Sequence, residues 1–140
     1  MNMKGLRPAA AGSVCPVLNR GPIPAHVHGV LDYVLGAVLV LAPFVLSFED
    51  DTATVACVVA GVAELVVGAT TAWGPGLVKL IPPAVHGMID YVFTAALIVA
   101  PFILGFDDDT TALVFFLVVG IGGLALVAAT RFVEEPTAGP

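Results

Sequence analysis

Charge is scarce in this chain. Asp, Glu, Lys and Arg make up 11% of its 140 residues, and Lys and Arg together number five. Nucleic-acid binding needs clustered basic residues, so nucleic acid is not expected as a partner. Cysteine is nearly absent as well. Cys15 and Cys57 form no CxxC and no zinc-ligand spacing, and a disulfide between them is not expected because Cys15 precedes the first apolar run while Cys57 lies inside the second. No nucleophile–base pair, phosphate loop or dinucleotide fingerprint can be found, and the chain reads as a non-enzyme. An uninterrupted signal-peptide core is missing too. Pro8, Gly12, Pro16, Asn19, Gly21 and Pro22 break up the N-terminal stretch, and Gly12-Ser13-Val14-Cys15 lacks the small residue expected before a lipidated cysteine. Residues 1–22 are therefore read as a retained tail.

What is present in abundance is apolar sequence, 59% of the chain. It falls into four runs, at about 27–48, 53–73, 85–106 and 111–132, each of 20 residues or more. A helix of that length reaches about 30 Å, enough to cross a bilayer core. Alternating polarity is absent and an open sheet cannot span lipid, so strands are a poor reading of these runs. Glu49-Asp50-Asp51-Thr52 ends the first run and Asp107-Asp108-Asp109-Thr110 the third. The break between the second and third, 74–84, is rich in Gly and Pro and carries Lys79. Residues 133–140 form a second tail.

The runs repeat in pairs. Residues 23–52 and 81–110 are identical at more than half of their positions, with a spacing of 58. This sets repeat 1 at 23–73 and repeat 2 at 85–132, joined by the 74–84 linker. Two spans per repeat give both units the same direction through the membrane. The expected fold is all-α, a four-helix transmembrane bundle with parallel pseudo-two-fold symmetry. Lys4, Arg7, Arg20, Lys79 and Arg131 belong to one side and the acidic loops to the other, which by the positive-inside rule puts both termini in the cytoplasm.

Each repeat opens on the same motif, His28-Gly29-Val30-Leu31-Asp32-Tyr33 and His86-Gly87-Met88-Ile89-Asp90-Tyr91. Residues four apart share a helix face. His28, Asp32 and Gly36 thus form one stripe, His86, Asp90 and Thr94 its equal, and the parallel repeat brings both to one depth. The second helices match more weakly. Glu64 faces Gly122 or Gly123, depending on a one-residue gap, and comes within reach of the same cluster.

Two such hairpins, each with His-Gly-x-x-Asp-Tyr, then Leu-x-x-Ala-Pro-Phe-x-Leu-x-Phe and an acidic turn, resemble the SPW-repeat family of small bacterial membrane proteins. The naming Ser-Pro-Trp reads Ala42-Pro43-Phe44 and Ala100-Pro101-Phe102 here. The resemblance implies the bacterial plasma membrane and carries no activity to any residue.

Three uses of the polar cluster compete. In the first, His28, Asp32, His86 and Asp90 clamp the first and third helices, Tyr33 and Tyr91 act as interfacial anchors, and the protein is a structural or accessory subunit. Its partners are then the lipid bilayer and further copies or a larger membrane complex. In the second, the same two His and two Asp bind a divalent metal, or the histidines bind haem. In the third, Glu64 joins them in a proton or cation relay, though no polar route continues beyond Gly36 and Thr94. The acidic triplets are solvated caps, with weak cation binding as the alternative. His26 has no counterpart, Ala84 standing opposite.

Overall fold

The structure, a computed structural model, describes residues 21–133. The expectations for Lys4, Arg7, Cys15, Arg20 and the ends of both tails lie outside the described residues. Four helices run in order, α1 Ala25–Val45, α2 Asp51–Thr70, α3 Pro83–Leu104 and α4 Thr110–Ala128. All four are long and apolar enough to span a membrane. The fold is the expected all-α four-helix bundle, α1 packing along α2 and α3 along α4. Over the most apolar 18 residues of each helix the buried share runs from 22% in α4 to 39% in α1, so most of every helix faces outward. Valine, leucine and phenylalanine fill those outer faces, as lipid requires.

Each helix starts earlier than the apolar run suggests and ends sooner, for local reasons. Pro24 and Pro82 precede α1 and α3, and Pro83 occupies the first turn of α3, where the missing N–H has no partner to lose. Asp50 and Asp109 cap α2 and α4 by accepting from Ala53 N at 2.9 Å and Ala112 N at 3.0 Å, the usual role of aspartate there. α3 ends on Gly105 in the left-handed region at φ 75°, and Ser47 holds φ 56° just after α1.

Those caps correct the repeat register. A constant spacing of 58 equates the acidic triplets residue by residue. The two capping aspartates are instead Asp50 and Asp109, 59 apart, because the second loop carries one extra residue between its left-handed position and its cap. From there on the spacing is 59, and Gly123 stands opposite Glu64.

Close backbone approach holds each hairpin together. A Cβ added to Gly61 would meet Gly36 O at 2.7 Å and Val40 N at 2.8 Å, so α1 and α2 touch main chain to main chain. This is the small-residue packing that membrane helices use without a hydrophobic driving force between them. Leu39, Leu97, Cys57, Phe106 and Phe116 form the buried core nearer the acidic loops. The Cys57 thiol is free and donates to Leu39 O at 3.1 Å.

At the opposite end the two hairpins clasp each other. Lead-in strand β1, Ile23–Pro24, pairs in parallel with β2, Thr130–Arg131, which follows α4. Ile81, ahead of α3, makes the equivalent parallel bridge to Thr71, just after α2. Each repeat's entry is thus fastened to the other repeat's exit.

Candidate functional site

The first turns of α1 and α3 converge below this clasp. Along α1 the buried residues His28, Asp32, Gly36 and Leu39 follow the helical period, as do His86, Asp90, Thr94 and Leu97 along α3. The two stripes face each other and bring four ionisable side chains into one buried group. His28, Asp32, His86 and Asp90 expose 2%, 2%, 0% and 4% of their surface.

The contacts are reciprocal. His28 Nε2 lies 2.9 Å from Asp90 Oδ2 across the repeats and 3.2 Å from Asp32 Oδ1 on its own helix. His86 Nε2 lies 3.1 Å from Asp32 Oδ2 across the repeats and 3.0 Å from Asp90 Oδ2 on its own helix. Asp90 meets both rings through Oδ2 alone, and His86 Nε2, Asp32 Oδ2 and Asp90 Oδ1 are left without a hydrogen bond.

The other ring nitrogens are held by threonines that sequence reasoning missed. His28 Nδ1 is 2.8 Å from Thr130 Oγ1, and His86 Nδ1 is 2.8 Å from Thr71 Oγ1. Each threonine hydroxyl has a single proton, which it donates one turn back, Thr130 to Leu126 O at 2.8 Å and Thr71 to Val67 O at 2.7 Å. The hydroxyl must then accept from the histidine, so Nδ1 carries a proton in both rings. A neutral ring therefore presents its lone pair at Nε2, toward the centre of the four.

Two aromatic side chains roof the group. The Trp73 ring centroid is 4.1 Å from that of His86, and Phe132 is 4.9 Å from His28. Their positions explain the glycine that follows each histidine. A Cβ on Gly29 would come 2.8 Å from Trp73 Cε2, and one on Gly87 would come 2.7 Å from Phe132 Cδ2. Trp73 Nε1 donates to Gly68 O at 3.0 Å, and Lys79 Nζ donates to Trp73 O.

Glu64 is 4% exposed and reaches the same region from α2. It is not part of the four-way contact. Its side chain lines a void of about 10 Å³ together with His28, Asp32, Asp90, Thr94 and Gly123, room for about one water molecule. Tyr33 turns away from the group and donates to Pro75 O at 3.1 Å. Tyr91 packs beside Trp73, Val127 and Phe132. Neither phenol joins the polar cluster in which the sequence pattern grouped it. His26 lines a separate open cleft of about 460 Å³ with Trp73, Lys79 and Phe132. Haem does not fit: the void beside the histidines is about 10 Å³, whereas cofactor pockets run to several hundred.

Fold and site together define a multi-pass membrane protein made of two like-directed helical hairpins, joined through a buried His–Asp quartet. The family model of the SPW repeat domain matches residues 26–131, most of the chain and both copies of the motif. The chain belongs to the SPW repeat family. Neither a curated protein nor a solved structure matches it.

Proposed function

We propose that this is a non-enzymatic structural or accessory protein of the bacterial plasma membrane, and that the quartet is the joint making two hairpins one rigid unit. The observation that carries the reading is the reciprocity of the buried contacts, His28 with Asp90 and His86 with Asp32. Neither hairpin satisfies these side chains alone. Outside the joint the helices offer apolar surface on nearly every side, suited to lipid, to further copies of the chain or to a larger membrane assembly. Among the described residues Lys79 and Arg131 lie at the quartet end, while Glu49 to Asp51 and Asp107 to Asp109 lie at the other. That asymmetry favours cytoplasmic termini.

The test is a double-mutant cycle on His28→Ala and Asp90→Ala in the full chain, in micelles. Unfolding is followed through Trp73, the chain's one tryptophan, which sits on the joint. Interhelical bonds in membranes are worth about 0.6–2 kcal/mol, and the coupling between the two sites is expected in that range. Additive effects, with no coupling beyond error, would show that the two hairpins are not joined here.

A further inference from the structure

We propose that the centre of the quartet is the coordination site of one divalent first-row transition metal ion. Its ligands are Nε2 of His28 and His86 and one carboxylate oxygen each from Asp32 and Asp90. The proposal deepens the joint reading, since it says what occupies the joint.

Four observations converge on it. One donor atom from each of the four residues can be chosen so that all lie within 4.8 Å of one another. Both rings spend their Nδ1–H on a threonine, the outer-shell bond that fixes a metal-binding histidine with its Nε2 lone pair inward. The fully buried His86 Nε2 is aimed between two carboxylates and hydrogen-bonded to neither. Asp32 Oδ2 is likewise unpaired. Of the three buried atoms left without a hydrogen-bond partner, a metal ion at the centre uses two, His86 Nε2 and Asp32 Oδ2.

The geometry is reached by turning the four side chains. Bonds of 2.0–2.1 Å in a tetrahedron place ligand atoms about 3.4 Å apart. The nitrogen–oxygen separations are 2.9, 3.2, 3.1 and 3.0 Å, the two at Asp32 being to different oxygens, and the donor set spans up to 4.8 Å. The close pairs therefore open by a few tenths of an ångström while the widest pair draws in by up to about 1.4 Å, through side-chain torsions. Charge balances as well. A divalent ion with two carboxylates and two neutral imidazoles is neutral, and it replaces the two protons that otherwise neutralise the carboxylates. Two imidazoles with two carboxylates suit zinc or ferrous iron, and they disfavour calcium or magnesium, which take oxygen ligands. All four protein ligands are inward and shielded by Trp73 and Phe132, the closed arrangement of a structural metal rather than a catalytic one.

The experiment uses the full chain, purified in detergent, stripped with chelator and titrated with Zn²⁺ or Co²⁺. One equivalent is expected to bind, the Co²⁺ form showing the intense visible bands of a four-coordinate ion. X-ray absorption of the Zn²⁺ form should show about four nitrogen and oxygen neighbours near 2.0 Å, with imidazole scattering. Thr130→Val, which removes the outer-shell acceptor together with its bond to Leu126 O and leaves all four ligands in place, is expected to weaken binding 10–100-fold. Asp32→Asn with Asp90→Asn should abolish it, while Asp107→Asn with Asp108→Asn, in the exposed loop, should not change it. A wild-type protein that takes up no ion, or takes it up with six oxygen neighbours, overturns the proposal. So does binding that survives in the Asp32→Asn/Asp90→Asn variant. If no ion binds but the His28–Asp90 coupling persists in chelated protein, the metal fails and the joint stands. Ion binding without that coupling in chelated protein means that the metal alone makes the joint.

Discussion

Gly61→Ala should loosen the first hairpin, and its cost can be worked out from the contact it disturbs. The new methyl carbon would sit 2.7 Å from Gly36 O and 2.8 Å from Val40 N, whereas ordinary contact begins near 3.4 Å. Both neighbours are main-chain atoms of α1, so no side-chain rotation relieves the overlap. The helices must part by roughly 0.6 Å, and overpacking of this kind costs about 1–3 kcal/mol. Any gain in helix propensity, up to about 1 kcal/mol from Gly to Ala, is shared by a control, Gly122→Ala, whose added Cβ has nothing within 4 Å. The control should therefore be neutral or slightly stabilised while Gly61→Ala is destabilised. Gly120→Ala should fall between them, since its nearest neighbour is the Ile98 side chain at 2.6 Å and backbone atoms stand off at 3.1 and 3.2 Å. Reversible unfolding of the purified full chain by a denaturing detergent, read by far-ultraviolet circular dichroism, gives all three values. If Gly61→Ala and Gly122→Ala agree within about 0.5 kcal/mol, the backbone contact between α1 and α2 is not what holds that hairpin.

Two further outcomes concern the acidic end. Partial burial pushes the Asp109 carboxyl up, but N–H donors from Ala112, Asp50, Glu49 and Thr111 outweigh it and hold the group below its ordinary value of 3.8. Its contribution is complete above that value and is lost as pH falls through the lower folded one. Wild type should lose stability on acidification below pH 4, and Asp109→Asn should lose less over the same interval in the same unfolding assay; equal losses would remove Asp109 from the account. Ser47→Gly should raise stability by about 0.5 kcal/mol, because glycine adopts the left-handed region without the strain of a Cβ, less its own greater entropy when unfolded.

Much of this was legible in the residues. The spans follow from apolar length, and the four quartet members follow from two His-x-x-x-Asp pairs brought to one depth by a parallel repeat. The threonines and their aromatic neighbours were hidden by register. At a spacing of 58, Thr71 faces Ala129 and Trp73 faces Arg131, and nothing looks paired. The extra residue in the second loop shifts the spacing to 59, where Thr71 meets Thr130 and Trp73 meets Phe132. That shift also chooses Gly123 over Gly122 as the partner of Glu64. Tyr33 follows Asp32 directly, and one residue rotates a helix by about 100°, which carries the phenol away from the group to Pro75 O in the linker.

The crossed fastening of entries to exits has a consequence for how the molecule is assembled. Thr130 completes the surroundings of His28, yet it is synthesised 102 residues later. The first hairpin therefore enters the membrane with its histidine lacking both a threonine and a cross-repeat aspartate. The aspartate arrives with α3, whereas the threonine follows α4, so the surroundings of His28 are complete only when the whole chain is made. During that interval the open half-site matches the half-site of any other unfinished chain. Two copies could exchange partners there, each lending the other the half it has not yet made.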